Sequence, residues 1–148
     1  MRVSVIGGGT VTSEQEAVAE SVGRELGRRN HTVVCGGLGG TMAAVCRGAS
    51  DEGGTTIGIL PTASRSDANP HVDVAIATGL GHARNALVAL NGDATIALSG
   101  GPGTLTEIGF TRVYDRPVIG LDTHDVTGVE VVDDPASAVD AVERLAAP

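Results

Sequence analysis

The chain has 148 residues, which fits one domain of ordinary size, and its 18 acidic and 10 basic side chains give a formal net charge of −8. All of the basic residues are arginines, which excludes a Schiff-base lysine and a Walker A phosphate loop. With one Tyr, one Phe and no Trp, an acidic chain lacks the cationic surface and the stacking rings of nucleic-acid binders. The absence of lysine fits either a salt-rich cell interior or a GC-biased genome.

Neither the amino-terminal residues nor the cysteines indicate export. The first residues, MRVSVIGGG, contain one Arg and an apolar run that is too short for a secretion signal or a membrane span. Cys35 and Cys46 form no paired framework, so we expect two buried, small apolar side chains. A cytoplasmic protein that does not bind membranes is therefore expected. The four histidines lack metal-ligand spacing, and we predict no metal site.

Short β-branched runs alternate with longer segments of helical periodicity, which is typical of βαβ units and a mainly parallel sheet. The predicted strands are residues 3–6, 32–35, 56–60, 72–77, 94–98 and 118–121, with a seventh at 129–132. The predicted helices are residues 13–29, 41–52, 82–90, 104–114 and 135–146. The pattern predicts one Rossmann-like, doubly wound α/β domain over residues 1–148, with six to seven strands and helices on both faces.

Three local features refine this outline. Ser13 is the expected N-cap of the first helix, and Pro135 suits the first turn of the last helix, where its missing N–H costs no hydrogen bond. Residues 61–71, PTASRSDANPH, are polar with two prolines, which predicts a mobile flap. Residues 122–125, DTHD, are polar enough to bind a cation, but we expect a solvated turn there.

Glycines cluster where a strand ends and the next helix begins, and such turns account for 12 of the 22 glycines. Glycine there permits a positive φ and lets backbone N–H groups approach a ligand, while the following helix offers its positive end. We therefore predict a phosphate-binding crevice at the topological switch point of the sheet. The alternative is that some of these glycines only allow tight turns. The candidate ligand-binding residues are Gly7, Gly8, Gly9, Thr10, Gly36, Gly37, Gly39, Gly79, Arg84, Asn85, Gly100, Gly101, Gly103 and Thr104.

The dinucleotide fingerprint G-x-G-x-x-G is incomplete after the first strand. Residues 7–12, GGGTVT, place Thr12 at the third glycine position, and the second strand ends in Cys35 rather than in an acidic ribose ligand. These two departures argue against a nicotinamide-dependent dehydrogenase.

Residues 100–107, GGPGTLTE, carry the sharpest local signal. Their free amides, the Thr104 hydroxyl and the positive end of the next helix would hold a phosphate or another oxyanion. The spacing of Thr104 and Glu107 also matches a capping box, in which the carboxylate only bonds the helix start. Both interpretations are open at this point.

Arg84 falls in the first turn of a predicted helix, where the helix dipole disfavours a cation. We expect it to point over the crevice at an anionic ligand and to pair with Glu107 across adjacent strand ends. A solvated surface arginine is the alternative. Asn85 beside it suits either a ligand contact or a helix cap.

The helical segments HARNALVAL and LTEIGFTRV are apolar over much of their circumference. Such surfaces need cover from the sheet or from another subunit. We therefore expect a homo-oligomer, a dimer or a tetramer, that forms through these two helices.

The segment GGPGTLTE resembles the GGxGTxxE motif of the family once misnamed lysine decarboxylases, which are phosphoribohydrolases of cytokinin-riboside and related nucleoside monophosphates. The resemblance extends to the molybdenum-cofactor carrier proteins and to the Rossmann core of DNA-processing protein A. Residues 1–121 are similar to the carrier-like branch, through GILP after the third strand, ATGLGHARN around Arg84 and RPVIGL after the Glu107 helix. The motif is specific for this superfamily but not for one activity.

The resemblance implies roles for particular residues. If the chain is a hydrolase, Arg84 and Glu107 match the residues linked to catalysis in the HxRK and GGxGTxxE motifs. Arg84 and residues 100–104 would hold the ligand's phosphate region, and Glu107 would stabilise an oxocarbenium-like ribosyl centre or activate water. Asn85 replaces the Lys of the first motif, and Thr106 stands where hydrolases usually carry a further Glu. The Arg-Asn pair resembles the carrier-like branch, whose crevice binds a phosphate-bearing pterin without cleaving it.

The leading hypothesis is a binding protein for a phosphate-bearing, nucleotide-like ligand, similar to molybdenum-cofactor carrier proteins. The molybdenum cofactor and a nucleoside monophosphate are the candidate ligands. The alternative is a nucleoside 5′-monophosphate phosphoribohydrolase that releases free base and ribose 5-phosphate. A ligand-sensing or scaffold subunit is a third hypothesis, for which the sequence offers no motif.

Overall fold

Seven strands and five helices follow one another in the predicted order in the computed structural model, which describes residues 1–148. The strands are β1 (Arg2–Gly7), β2 (Thr32–Cys35), β3 (Thr56–Leu60), β4 (Val74–Ala77), β5 (Ala94–Leu98), β6 (Val118–Leu121) and β7 (Glu130–Val131). The helices are α1 (Ser13–Arg28), α2 (Thr41–Asp51), α3 (Asn85–Asn91), α4 (Pro102–Val113) and α5 (Pro135–Leu145). Two short 3₁₀ turns cover Arg65–Asp67 and Gly81–Arg84.

The strands form one sheet in the order β4-β3-β2-β1-β5-β6-β7, and every pair of neighbours is parallel. The chain builds outwards from β1 to β4 on one side, then returns to pair β5 with β1 and continues outwards on the other side. The predicted Rossmann-like, doubly wound fold is confirmed. Its topological switch point lies between β1 and β5, where a ligand crevice is expected.

Helices cover both faces of the sheet. One face packs against α1, α2 and α5 around a core of 20 buried apolar residues, among them Val22, Leu26 and Ile119. On the opposite face α3 and α4 pack on a smaller core of seven residues, which includes Ile59, Ala97 and Ile108. Because both faces of the central strands are covered, these strands consist of nearly continuous β-branched and apolar residues.

Helix starts differ in three places from the expectations. Helix α3 begins at Asn85 rather than at residue 82, because Gly81–Arg84 form a 3₁₀ turn before it. Thr12, not Ser13, is the N-cap of α1, because its side chain accepts a hydrogen bond from the Gln15 N–H at 3.2 Å, while the Gln15 side chain accepts from the Thr12 N–H at 3.0 Å. Helix α4 begins at Pro102, two residues before the expected start at Thr104. Proline fits a first helical turn, whose N–H groups lack intrahelical partners. Pro135 occupies the corresponding place in α5, as predicted.

Both cysteines are free and buried, as expected, with their Sγ atoms 3.5 Å apart. The polar segment 61–71 contains the 3₁₀ turn Arg65–Asp67, and Asn69 ties it to the loop after β2 by donating to the Leu38 carbonyl at 2.9 Å. The expectation that this segment is a mobile flap stays a prediction. None of the helices combines the length and the apolar character that crossing a bilayer requires.

Glycines let α1 and α2 approach each other unusually closely. A Cβ atom at Gly23 would lie 2.1 Å from the Val45 carbonyl oxygen, and one at Gly48 would lie 2.1 Å from the Glu20 carbonyl oxygen. These contacts are with backbone atoms, which cannot turn aside as a side chain can. The close approach of the two helices therefore requires glycine at both positions.

Replacing Gly23 by Ala should lower the free energy of unfolding by about 1–3 kcal/mol, since the added methyl group forces the two helices apart. Urea denaturation of purified protein measures this change. Gly109→Ala is the matched control, because Gly109 is exposed on α4 and a Cβ there meets no atom within 4 Å. The control should be neutral or stabilising, owing to the higher helix propensity of Ala. Equal stability of the Gly23→Ala variant and the native chain would contradict the close helix contact.

Candidate functional site

A cavity of about 430 Å³ opens at the carboxyl ends of β1, β2 and β5, at the switch point of the sheet. Its size lies within the range of small-molecule sites, which is about 300–1,000 Å³. The structure brings most of the predicted site residues together in its walls. The predicted residues that line it are Gly7, Gly8, Gly9, Gly36, Arg84, Asn85, Gly101, Gly103, Thr104 and Glu107.

Five predicted residues lie outside the cavity walls: Thr10, Gly37, Gly39, Gly79 and Gly100. At three of them, Gly37, Gly79 and Gly100, a positive φ means that the tight-turn explanation accounts for the glycine. Gly37 has φ +78° and Gly100 has φ +95°, and an added Cβ would lie 2.8 Å from a methyl group of Leu60 or 2.1 Å from the Thr104 hydroxyl, respectively. These glycines therefore shape the turns that carry the neighbouring cavity residues.

Arg84 is buried, with 8% of its surface exposed, which excludes the solvated surface arginine. It ends the 3₁₀ turn Gly81–Arg84 just before α3. Its guanidinium donates to the carbonyls of Ile59 at 2.9 Å and Gly36 at 3.3 Å, and to the side-chain oxygen of Asn85. These bonds use three of its five N–H groups, so two N–H groups remain for a ligand.

Glu107 lies inside α4 with 9% of its surface exposed, and its side chain faces the cavity. Burial raises the pKa of Glu107 to about 8, and the positive charge of Arg84 opposes this rise. Burial likewise lowers the pKa of Arg84, against the charges of Glu107 and Cys35. The expected Arg84–Glu107 ion pair is wrong, since none of the ion pairs within 4.0 Å joins these two side chains, and Arg84 instead uses protein carbonyls.

The capping-box interpretation of Thr104 and Glu107 is also wrong. Gly101 is the N-cap of α4 and makes no side-chain cap, so Thr104 and Glu107 both lie within the helix. Thr104 is buried beside Gly100 at the cavity wall. Because Pro102 has no N–H, the unpaired amides of the first turn belong to Gly103 and Thr104. These amides and the positive end of α4 line the same cavity as Arg84.

A chain of hydrogen bonds connects Arg84 with the first turn of α4. Asn85 accepts from Arg84 and donates to the Thr106 hydroxyl at 3.3 Å, and that hydroxyl donates to the Gly103 carbonyl at 2.6 Å. Asn85 is therefore not a helix cap, and both the oxygen and the nitrogen of its side-chain amide have a protein partner. The two positions that depart from the hydrolase motifs, Asn85 and Thr106, contact each other directly.

An apolar part of the cavity wall was not predicted. Leu38, Met42 and Pro61 form it, from the loop after β2, the first turn of α2 and the end of β3. In the sequence, the only signal at Met42 is its position directly after the predicted helix start. That position does not identify a cavity wall, because an apolar side chain there is equally typical of the core. His82 also lines the cavity.

The sequence model of the SLOG cluster4 family matches residues 1–146. The chain belongs to the SLOG cluster4 family. A curated relative is the cytokinin riboside 5′-monophosphate phosphoribohydrolase of Rhodococcoides fascians, which is 38% identical over 108 residues, 70% of this chain and 54% of that enzyme. The chain thus matches about half the length of that relative. The suspected superfamily is confirmed.

Two solved structures resemble this family member along nearly its whole length. The molybdenum cofactor binding protein of Rippkaea orientalis has a TM-score of 0.91 and 29% identity, covering 97% of this chain and 95% of that one. The molybdenum cofactor carrier protein of Chlamydomonas reinhardtii has a TM-score of 0.89 and 32% identity, covering 99% and 98%. DNA processing protein A of Helicobacter pylori, at 17% identity, a TM-score of 0.72 and coverage of 97% and 80%, shares the fold alone.

The raised pKa of Glu107 predicts how stability depends on pH. Between the ordinary carboxyl value of 4.5 and the folded value of about 8, the unfolded chain releases this proton while the folded chain keeps it, so the Glu107 contribution to stability falls as pH rises. Glu107→Gln removes this loss. The stability of the variant relative to the native chain should grow by up to about 1.4 kcal/mol per pH unit in that range.

Urea denaturation at pH 5, 6, 7 and 8 measures this difference. Glu14→Gln is the control, because Glu14 is exposed in the first turn of α1. This variant shows what removal of one exposed carboxyl group does in the same measurement. A constant difference for Glu107→Gln would show that the carboxyl group ionises normally in the folded protein.

Proposed function

We propose that this crevice binds a phosphate-bearing, nucleotide-like small molecule, and that the protein acts as a binding protein similar to molybdenum cofactor carriers. One observation carries the proposal. A buried arginine, fixed by three protein acceptors and with two N–H groups unused, lines the same cavity as the amino end of a 12-residue helix. Charge-assisted hydrogen bonds from a guanidinium and from helix-start amides are the interactions that bind phosphate groups.

The state of Glu107 supports an anionic ligand. With a pKa of about 8, its carboxyl group is mostly protonated at neutral pH and adds no negative charge to the crevice. In that state it is a hydrogen-bond donor. Arg84 and the helix end then leave the site positively charged, although the chain as a whole carries −8. We propose that the phosphate contacts Arg84, Gly101, Gly103 and Thr104.

The apolar wall of Leu38, Met42 and Pro61 suits the ring system of the ligand. It lies in the same cavity as the phosphate-binding groups and offers no charge to a heterocycle. A pterin and a purine both fit this combination of an apolar wall and an anion-binding rim. The relatives named for the molybdenum cofactor and for a nucleoside monophosphate support these two ligand classes.

A phosphoribohydrolase is the second candidate function, and Glu107 is the observation that favours it. A buried carboxyl group with a pKa near neutrality suits general acid–base catalysis. In such an enzyme Glu107 would activate water or stabilise the ribosyl centre, while Arg84 would hold the phosphate. Against this, the neutral Asn85–Thr106 pair replaces the Lys and the Glu of the hydrolase motifs, which leaves the site one carboxylate short.

We also propose that the protein forms a homo-oligomer through α3 and α4. Leu90, Leu105 and Val113 are exposed on these two helices, with 42%, 45% and 75% of their surface accessible. A second copy would remove this apolar surface from water. A phosphate-bearing small molecule remains the proposed ligand class, and a cytoplasmic location stays a prediction.

Incubation of the protein with AMP distinguishes the two functions. We expect AMP to bind in calorimetry without release of adenine above the protein-free rate, and Glu107→Gln to keep this binding, because Arg84 and the α4 amides hold the phosphate. Chromatography of the mixture detects free adenine and ribose 5-phosphate. Release of adenine that disappears in Glu107→Gln, with AMP binding retained, would overturn the carrier assignment in favour of the hydrolase.

A further inference from the structure

The turn between β5 and α4, residues 99–101, has an unusual backbone. Ser99 has φ +45° and Gly100 has φ +95°. L-amino acids adopt this left-handed region at an energetic cost, so surrounding contacts must hold Ser99 there. Neither α4 nor β5 supplies a side chain that bonds this turn.

The contacts come from the segment after β6, residues 122–125, which lies outside the cavity walls. The Thr123 hydroxyl donates to the Ser99 carbonyl at 2.7 Å. The Nε2 atom of His124 lies 3.0 Å from the Gly101 carbonyl, to which it donates. This segment is thus more than a solvated turn, since two of its side chains bond the turn that precedes α4.

These two hydrogen bonds decide which side of the turn presents carbonyls. In a trans peptide the C=O of one residue and the N–H of the next point in opposite directions. Thr123 follows β6, on the far side of β5 from β1, so it draws the Ser99 carbonyl away from the switch point. Trans-peptide geometry then turns the Gly100 N–H the opposite way, towards the β1 side, and keeps the negative end of the Ser99 carbonyl away from the crevice, although Gly100 itself lies outside the cavity walls.

We propose that Thr123 and His124 are positioning residues that hold the 99–101 turn in its anion-binding conformation, without themselves touching the ligand. This inference rests on the proposed function, because it concerns the same phosphate site. Through these two side chains, the segment after β6 sets the phosphate affinity of the crevice.

The test uses inorganic phosphate as the probe and two-dimensional ¹H–¹⁵N NMR of the full chain as the readout. In the native chain, the amide signals of Gly100, Gly101 and Gly103 should shift on addition of phosphate. The double variant Thr123→Val/His124→Phe should bind phosphate about tenfold more weakly, because the turn loses both of its side-chain hydrogen bonds and keeps only the backbone bond from the Leu105 N–H to the Gly101 carbonyl. Its Ser99 and Gly100 signals should also differ in the phosphate-free protein.

Conservative variants separate positioning from general damage to the fold. Thr123→Ser and His124→Gln keep a donor at each place and should restore native phosphate affinity. Thr127→Val is the matched control, because Thr127 is exposed in the same connection. Thermal unfolding shows which variants are folded, and if the double variant unfolds, each of Thr123→Val and His124→Phe alone should weaken binding.

The outcomes are distinct. A native chain whose glycine amides do not respond to phosphate would overturn the proposed function at this site, and the inference with it. A native response together with equal phosphate affinity in the folded variants would overturn the positioning role alone.

Discussion

The fixed guanidinium of Arg84 is the constraint on which the site depends. Its hydrogen bonds join the ends of β2 and β3 to the start of α3, so the charge is held at the switch point of the sheet instead of moving in solvent. Any residue other than glycine at position 36 would collide with this guanidinium, because a Cβ at Gly36 would lie 2.6 Å from an Arg84 nitrogen. Burial of this charge is tolerable because three of its N–H groups have protein acceptors and the side chain lines the crevice.

That constraint explains the other groups around the cavity. Because Arg84 is satisfied by neutral acceptors, Glu107 is not needed as its counter-ion and can remain protonated in its buried position on α4. The Asn85–Thr106 bridge then couples Arg84 to the first turn of α4 without adding charge. The cavity therefore combines one buried cation, a helix start and an apolar wall, which together suit an anionic ligand that carries a ring system.

Periodicity predicted the order of elements correctly, because the buried β-branched runs of the strands are bounded by glycines and polar turns. The start of α4 was missed because Thr104 and Glu107 have capping-box spacing, whereas Pro102 fits a first helical turn equally well. The prediction of an Arg84–Glu107 ion pair was wrong. The positions of the two residues place both side chains at one edge of the sheet, but they do not determine which groups each side chain bonds. The apolar wall was not predicted, because no local sequence signal at Met42 distinguishes a position in a cavity wall from a position in the core.

A crystal structure of the protein with AMP tests most directly whether Arg84 and the start of α4 bind the phosphate group. The account predicts the phosphate within hydrogen-bonding distance of the two free N–H groups of Arg84 and of the amides of Gly103 and Thr104, with the purine against Met42. A phosphate bound elsewhere, or an Arg84 side chain that leaves its acceptors on Ile59 and Gly36 and turns into solvent, would contradict it.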